Sequence, residues 1–360
     1  MDRALVSVII PAFNASAKIR DSMKSVLAQT YQEIEVIIVD DGSSDATSAI
    51  VEEFIETDAR FRLILQRNAG VGAARNTAVL KARGRYIAPL DADDFWFPDK
   101  LEKQVARIEQ CGEETGLVYC WSILIDEHGD FAGQQYPHTV EGCLRRVLVM
   151  RNIVGNGSVP LFRTTAFRRV GLYPTRAEQR GAQGCEDWDV YLRMAEHFAI
   201  RVVPEYLVAY RQSDDSMSVN AENMAASFAI LMRRARERNV DLPPSIFRWS
   251  AGFFYAYLAR NSFDRCCYRS CLRFLTEAVC ADPALLLSSG VSKTFIRTLL
   301  RLITDSRREH FAGEIPPLPS EKGRKQTDLV SNKKKEPFIF NRIFEKIERR
   351  RWSAALDDGA

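Results

Sequence analysis

Three carboxylates directly follow a run of apolar residues in the first third of the sequence. Asp91, Asp93 and Asp94 come after the strand-like segment 86–90. Neighbouring carboxylates repel one another, and a divalent cation that prefers hard oxygen ligands, such as Mg²⁺ or Mn²⁺, relieves that repulsion. The cluster therefore predicts a metal site that involves Asp91 and Asp93. The alternative is a solvated acidic loop that caps the helix after Pro98.

A second acidic pair, Asp40 and Asp41, follows the apolar run 35–39 and precedes Gly42. A carboxylate in such a position can accept a hydrogen bond from a ribose or a base, as acidic residues do in other doubly wound folds. The alternative is a helix cap formed by Ser44 or Asp45. Both interpretations can hold, because Asp41 lies upstream of that cap.

Two glycines and an arginine mark the segment 68–76, which begins at Asn68. Gly70 and Gly72 let the backbone approach a ligand closely at the start of a helix, where amide groups favour an anion. Arg75 lies about one turn into that helix and can reach a diphosphate or a base. A tight strand-to-helix turn with a surface arginine is the alternative.

Three acidic residues, Glu186, Asp187 and Asp189, surround Trp188 just before the amphipathic segment 190–198. Such residues can cap a helix and interact favourably with its dipole. In an active site, one of them can act as a general base that removes a proton from a hydroxyl group. Trp188 either shapes a pocket or is simply buried.

Alternating strand-like and helix-like segments must position these groups. Short apolar runs occur at residues 6–10, 35–39, 61–65, 86–90 and 117–125. Segments with helical periodicity lie between them, at residues 17–30, 44–55, 72–82 and 101–110. This alternation predicts an α/β fold with a doubly wound, mainly parallel sheet. Ligands bind beyond the carboxyl ends of the strands in such a sheet, where residues 11–14, 40–43 and 91–94 lie.

The rest of the chain divides into regions of different composition. We expect the sheet domain at residues 1–220, a helical region at 221–312, a basic linker at 313–336 and an amphipathic tail at 337–360. Within the helical region, residues 249–287 resemble paired helices of the tetratricopeptide type. The aromatic stripes of this region suit binding of an acceptor or of a second copy of the chain, which would make a homo-oligomer, although packing on the sheet domain is the alternative.

The tail combines positive charge with an apolar face. Three lysines that begin at Lys333 precede apolar residues at helical spacing between residues 338 and 352. This pattern predicts weak peripheral contact with an anionic membrane surface. Packing of the tail helix on the body of the protein or on another subunit is the alternative.

Composition excludes several classes of function and site. The net charge of +3 is too near neutral to indicate a nucleic-acid partner. The 8 cysteines include no CxxC pair and there are 4 histidines, so the spacing of zinc ligands is absent. The sequence shows no signal peptide and no apolar stretch long enough to span a bilayer, so we expect a cytoplasmic protein with unpaired thiols, peripheral to the inner face of the plasma membrane if the tail binds lipid.

The motifs VSVIIPAFN, VDDGSSD, NAGVGAARN, YIAPLDADD and CEDWD follow one another between residues 5 and 215. In this order they resemble the large inverting nucleotide-sugar glycosyltransferase family often called family two, with a GT-A fold. Five ordered motifs are more specific than any one of them. The resemblance implies a metal-dependent enzyme that moves a sugar from a nucleotide-sugar donor, by default a UDP-sugar, to an acceptor hydroxyl with inversion, in glycan or cell-surface polysaccharide synthesis.

The resemblance also implies how the donor is bound. Pro11, Phe13 and Asp41 would hold the base of the nucleotide. Arg75, in the segment that starts at Asn68, would help to bind the nucleotide.

The remaining motif residues receive roles in catalysis from the same resemblance. Asp91 would contact the ribose and Asp93 would bind Mn²⁺ or Mg²⁺. Asp187 would be the catalytic base, with Glu186 as the alternative.

One departure from the family pattern lies late in the domain. Relatives often carry histidine, near the metal and the diphosphate, at the position of Ser213. Coordination here would then rely on Asp93, phosphate and water, and Arg211 would be a candidate contact to the diphosphate.

Other functions fit the sequence less well. A dinucleotide-dependent oxidoreductase expects GxGxxG after the first strand, where residues 11–14 read PAFN. A haloacid-dehalogenase-like phosphatase expects its nucleophilic pair after that same strand. A degenerate transferase domain that acts as a binding or scaffold protein is a further alternative, against which the presence of Asp91, Asp93 and Asp187 argues.

Overall fold

Strands and helices alternate through the first half of the computed structural model, as the sequence pattern predicts. The described residues are 3–213, 220–311 and 339–356. The strands are β1 (Val6–Ala12), β2 (Ile34–Asp40), β3 (Phe61–Leu65), β4 (Tyr86–Pro89), β5 (Phe95–Trp96), β6 (Thr115–Ile125), β7 (Phe131–Gln134), β8 (Leu161–Arg163) and β9 (Ala199–Arg211). The helices are α1 (Ile19–Leu27), α2 (Thr47–Thr57), α3 (Val71–Lys81), α4 (Lys100–Gln110), α5 (Arg145–Met150), α6 (Thr164–Val170), α7 (Glu186–Ala195), α8 (Ala221–Arg238), α9 (Pro244–Asp264), α10 (Tyr268–Ala281), α11 (Ser289–Phe311) and α12 (Ile339–Leu356), with a 3₁₀ helix at Pro283–Leu287.

The strands of the described chain form one mixed sheet in the order β3-β2-β1-β4-β8-β6-β9-β5, with β7 paired to β6. β1 pairs in parallel with β2 and β4, β2 with β3, and β6 with β9. β8 runs antiparallel between β4 and β6, and β5 and β7 are antiparallel to β9 and β6. The mainly parallel α/β sheet predicted from the sequence is therefore confirmed.

Burial explains the composition of the first two strands. Every residue of β1 and β2 is buried, which suits strands rich in branched apolar side chains within a sheet covered on both faces. Near the amino end of β1, the Ser7 hydroxyl donates to Glu35 at 2.6 Å and accepts from the Gly84 amide at 2.8 Å. These polar groups are paired with one another, and the candidate site residues lie at the opposite, carboxyl ends of the strands.

The chain divides into two compact units, one formed by residues 1–243 and 356–360 and the other by residues 244–355. The first unit extends beyond the expected boundary at residue 220, because α8 packs on α7. The rings of Phe228 and Trp188 lie 5.7 Å apart, and the Ser227 hydroxyl accepts from the Cys185 amide and donates to Gln179.

The second unit consists of helices. α9 and α10 form the helix pair expected within residues 249–287, and the rings of Tyr255 and Phe274 stack between them at 6.2 Å. The expected tail helix is present as α12, and its Arg351 is buried against Asp282 of the same unit, with nitrogen–oxygen distances of 2.6 and 2.7 Å. The expected linker at residues 313–336 lies outside the described residues. Among the described helices, none combines the length and the apolar character that a membrane-spanning helix requires.

Candidate active site

The loops after β1 and β2 are joined by hydrogen bonds. Asn14 adopts a left-handed conformation with φ of 48°, and its side-chain oxygen accepts from the Ser44 amide at 2.9 Å. The Asn14 amide in turn donates to the Ser43 hydroxyl at 2.9 Å. Pro11 is buried within β1, whereas 52% of Phe13 is exposed. The pair of loops thus leaves an aromatic side chain open to a ligand at the carboxyl end of β1.

Asp41 is buried beneath the loop that follows β3. One carboxylate oxygen accepts from the Gln66 side chain and the Ala69 amide, and the other accepts from the Gly70 amide, at 2.7 to 2.9 Å. A carboxylate has about four lone-pair positions, so about one remains for a further donor. Asp41 therefore holds the loop that carries the exposed Asn68 and keeps limited capacity to bind a ligand.

The start of α3 packs closely on the segment before α7. A Cβ atom on Gly72 would lie 2.3 Å from the Pro174 carbonyl oxygen, a distance that no side chain can adopt. The Asn76 side chain donates to the Tyr173 carbonyl and accepts from the Tyr173 amide, both at 2.8 Å. This close approach brings the guanidinium of Arg75 to 5.4 Å from the centre of the Tyr173 ring.

Arg75 is a buried cation at the centre of the site. Its guanidinium donates to Asp91 at 2.5 Å, and its Nε has no hydrogen-bond partner within the described residues. Burial alone would lower the pKa of Arg75, but the carboxylates of Asp91 and Asp187 raise it above its ordinary value. Gly157 covers this ion pair, since a Cβ atom there would lie 2.5 Å from the Arg75 guanidinium.

Asp94 and Arg211 support the acidic loop from beneath. The buried Asp94 carboxyl accepts from the Ser158 hydroxyl at 2.5 Å and from the Arg211 amide at 2.9 Å. The same Ser158 hydroxyl accepts from the Asp91 amide at 2.9 Å. Burial, together with Asp93 and Asp91, raises the pKa of Asp94 well above its ordinary value. Asp94 is thus a structural residue of the loop.

Arg211 was expected from the family pattern as a candidate contact to a diphosphate. Instead, its side chain is almost fully buried and donates to the carbonyl oxygen of Asp93 at 2.9 Å and to that of Glu127 at 3.0 Å. A further nitrogen lies 3.4 Å from Asp21. Most of its donors are therefore used inside the protein.

Asp93 lies beside Asp91 on this supported loop. Burial and the neighbouring Asp91 raise the pKa of Asp93 to about 6, against the opposing effect of Lys18 and Arg211. Within the described residues, no group of three or more histidine, cysteine, aspartate or glutamate side chains is arranged to hold a metal ion. Mg²⁺ commonly binds to one or two protein carboxylates and completes its shell with substrate phosphate oxygens and water. The two carboxylates fit that kind of site.

Asp187 and Glu186 begin α7 but differ in surroundings. Burial and Asp91 raise the pKa of Asp187, whereas Arg75 lowers it, and the net effect is an increase. Glu186 is only 2% exposed, and one of its oxygens accepts from the Gly184 amide at 2.8 Å. Its other oxygen has no partner in the described part of the chain, and burial and Asp187 raise its pKa to about 7.

The structure thus brings Arg75, Asp91 and Asp187 together as one electrostatic cluster. Trp188, by contrast, is buried, and its ring nitrogen donates to the Leu148 carbonyl at 2.8 Å. Its burial favours the interpretation of Trp188 as a core residue over the interpretation that it shapes a pocket.

Sequence reasoning missed Gly157, Ser158 and Tyr173. They lie in the irregular stretch between β6 and α7, where no periodicity distinguishes them. Their contacts to residues 75, 91 and 94 span long separations in the sequence, 64 residues in the case of Ser158 and Asp94.

Comparison with known proteins shows which family the first part of the chain resembles. Residues 7–169 match the model of glycosyl transferase family 2. A putative teichuronic acid biosynthesis glycosyltransferase of Bacillus subtilis, TuaG, is 47% identical over 104 residues, which are 29% of this chain and 41% of that protein. The match to EpsH, a putative glycosyltransferase of the same organism, spans 34% of that protein at 42% identity. The chain therefore covers less than half of the length of these relatives.

Solved structures show the same fold at low sequence identity. A fragment of S. aureus TarS in complex with UDP superposes with a TM-score of 0.54 at 18% identity, and the match covers 88% of this chain and 94% of that one. The mannosyltransferase PcManGT from Pyrobaculum calidifontis, in complex with GDP-Man and Mn²⁺, gives a TM-score of 0.53 at 19% identity and covers 87% and 89%. Residues 7–169 thus match glycosyl transferase family 2, and the chain shares its fold with these two solved structures.

Proposed function

We propose that this protein transfers a sugar from a nucleotide-sugar donor to an acceptor hydroxyl, with inversion at the anomeric carbon. The observation that carries the proposal is the Arg75–Asp91 ion pair, which interacts with Asp187, in a chain whose residues 7–169 match the model of glycosyl transferase family 2. Arg75 would supply a cation that binds a diphosphate. Asp91 would supply a carboxylate that contacts a ribose, and Asp187 a carboxylate that accepts a proton.

The donor would bind across the loops that follow β1, β2 and β3. The exposed Phe13 offers a face for the base next to Pro11, and Asp41 and Asn68 offer polar groups nearby. The buried Arg75 would meet the diphosphate at the start of α3, where amide groups also favour negative charge. The nucleotides bound in two proteins of the same fold, UDP in TarS and GDP-Man in PcManGT, support a nucleoside diphosphate as the common element.

A divalent cation would be held by Asp93, with Asp91 as the second carboxylate. Such a cation would neutralise the diphosphate and so stabilise it as a leaving group. The Mn²⁺ in the PcManGT complex supports this role. The raised pKa of Asp93 also supports a cation site. It reflects burial and repulsion between Asp93 and Asp91, and a bound cation would relieve that repulsion.

Asp187 would act as the general base. The acceptor oxygen would attack the anomeric carbon while the bond from that carbon to the diphosphate breaks, and the acceptor proton would pass to Asp187. A single displacement of this kind inverts the configuration at the carbon. The acceptor would be a hydroxyl group of a growing glycan, in line with the polymer synthesis after which TuaG is named.

Metal-dependent donor binding tests the donor site. Calorimetric titration of the full chain with UDP should show binding that is strengthened by Mn²⁺, and Asp93→Asn should remove the Mn²⁺-dependent part. Asp130→Asn, at an exposed carboxylate outside the cluster, is the matched control and should bind like the parent. Undiminished Mn²⁺-dependent binding by Asp93→Asn would refute this assignment.

Sugar transfer itself needs a separate assay. The protein should release the nucleoside diphosphate from one of a panel of nucleotide sugars in the presence of Mn²⁺, faster when a glycan acceptor is added. Donor binding without any turnover, across the panel and a range of glycan acceptors, would favour a binding protein instead.

A further inference from the structure

One face of α11 turns four aliphatic side chains toward solvent. Ile296, Leu299, Leu300 and Ile303 are 58, 39, 58 and 53% exposed. Residues three, four and seven apart share one face of a helix, so these side chains form a continuous stripe. A helix of a folded protein normally buries such a stripe against its core.

The opposite face of α11 already packs inside the helical unit. Thr298 is fully buried, and its hydroxyl lies 3.2 Å from the thiol of Cys271 on α10. The outward stripe is therefore additional to the face by which the helix is held. It needs a separate explanation.

Positive charge accompanies the stripe. Lys293, Arg297 and Arg301 are exposed at intervals of four residues, which sets them on one side of the helix. Residues 289–304 contain no aspartate or glutamate. None of the three cations forms a salt bridge within the described part of the chain. Over residues 289–304, the surface of α11 thus combines an apolar stripe with positive charge that no acidic residue of that segment balances.

We propose that this face of α11 binds an anionic membrane surface, with the helix lying in the plane of the interface. Basic residues beside large aliphatic side chains are the features by which interfacial helices bind anionic lipid. The aliphatic side chains would enter the boundary between headgroups and acyl chains, and the cations would pair with lipid phosphates. This proposal does not depend on the sugar transfer proposed above.

The size of the stripe argues against a second protein as its occupant. The stripe spans only about two turns of one helix, from Ile296 to Ile303. A stable protein interface needs about 800 Å² on each partner. A small apolar surface with flanking cations instead suits reversible binding to lipid, where two weak contributions act together.

The tail helix α12, which the sequence predicts to bind membrane, exposes only some of its basic and apolar side chains. Arg351 of α12 is taken up in the buried pair with Asp282, whereas Ile343 of the same helix is 45% exposed. The stripe on α11 is therefore the larger exposed apolar feature, and variants of α11 provide the test.

Co-sedimentation of the full chain with vesicles tests the proposal. The protein should pellet with phosphatidylglycerol vesicles and much less with phosphatidylcholine vesicles, and its binding to phosphatidylglycerol should weaken as salt is raised. Leu300→Gln/Ile303→Gln should weaken binding to phosphatidylglycerol about tenfold or more, because the apolar contribution is lost. Arg297→Gln/Arg301→Gln should weaken it about fivefold per charge and reduce the dependence on salt.

Leu65→Gln/Leu80→Gln is the matched control, since these leucines are 67 and 70% exposed but lie on β3 and α3. This variant should pellet like the parent protein. The circular dichroism spectrum and UDP binding of each variant establish that it is folded. If Leu300→Gln/Ile303→Gln unfolds, Arg297→Gln/Arg301→Gln still tests the proposal.

Two results would overturn the proposal. One is that the parent protein pellets equally with charged and neutral vesicles, or pellets with neither kind. The other is a dimer in analytical ultracentrifugation that Leu300→Gln/Ile303→Gln dissociates, because the stripe would then be a protein interface.

Discussion

The two acidic residues at the start of α7 differ in accessibility. Asp187 is partly exposed and interacts with Arg75 and Asp91, whereas Glu186 is buried and is held by the Gly184 amide. A general base must come within hydrogen-bond reach of the proton that it removes. Accessibility therefore favours Asp187 as the base over Glu186.

Asp187→Asn should lower the rate of sugar transfer by about 10²–10⁴-fold while donor affinity stays close to that of the parent protein. Glu186→Gln is the natural comparison, because it alters the adjacent carboxyl group and should reduce transfer far less. Steady-state rates and calorimetric donor binding distinguish the two effects. If Glu186→Gln suffers the larger loss of rate, the roles of the two residues are reversed.

Glu186 should make the stability of the protein depend on pH. Its pKa is about 7 in the folded protein and about 4.3 in an unfolded chain, so the folded state binds more protons between these values. The free energy of unfolding should therefore fall as pH rises from about 4 to about 7, and stay reduced above that.

Glu186→Gln should remove this contribution. We expect its free energy of unfolding to exceed that of the parent by about 1–3 kcal/mol at pH 8 and to match it near pH 4. Urea denaturation at several pH values measures the difference. A difference that does not change with pH would mean that Glu186 does not titrate in this range.

At the scale of secondary structure, the acidic loop after β4 depends on partners that come later in the chain. Ser158 bridges the Asp91 amide and the Asp94 carboxyl, and the Arg211 amide completes the set. Removal of the Ser158 hydroxyl leaves a buried donor and a buried acceptor without a partner, at a cost of about 1–3 kcal/mol.

Ser158→Ala should therefore weaken nucleotide binding about tenfold as well as destabilise the fold. Ser7→Ala is a matched control, because the Ser7 hydroxyl also donates to a carboxylate and accepts from an amide, but near the amino end of β1. It should destabilise the fold without a change in nucleotide affinity. Equal affinity losses in the two variants would indicate general loosening instead of a role in the loop.

These long-range contacts also explain which elements the sequence predicts well. β1, β2 and the carboxylates after β4 follow from local patterns, since branched apolar runs and the acidic residues after them are adjacent in the chain. The Arg211 amide that donates to Asp94 lies 117 residues further along the chain, so no local sequence pattern predicts this contact. The packing of α8 on α7 was missed for the same reason, since helical periodicity does not reveal which neighbour a helix contacts.

At the scale of the whole molecule, the helical unit has a buried charge pair of its own. Arg351 and Asp282 are 6 and 4% exposed, and the Arg351 guanidinium also lies 4.9 Å from the centre of the Trp249 ring. Loss of one member of such a pair leaves the other charge buried without compensation, which typically costs about 3–5 kcal/mol.

Arg351→Ala should therefore destabilise the helical unit by about 3–5 kcal/mol while UDP binding by the first unit persists. Arg350→Ala, at the exposed neighbouring position, should change stability by less than about 0.5 kcal/mol. Scanning calorimetry with and without UDP separates the transitions, because a ligand stabilises the unit that binds it. A single transition that shifts as a whole would show that the two units unfold together.

The position of β9 has a consequence for protein synthesis. β9 is the last strand of the sheet to leave the ribosome, yet it pairs with β5 and lies along most of β6, two strands made about a hundred residues earlier. A nascent chain that ends near residue 169 carries the whole segment matched by the family model but leaves the long, apolar edge of β6 open. Open apolar edges pair with other chains, so translation must pass β9 before the sheet domain is protected from aggregation.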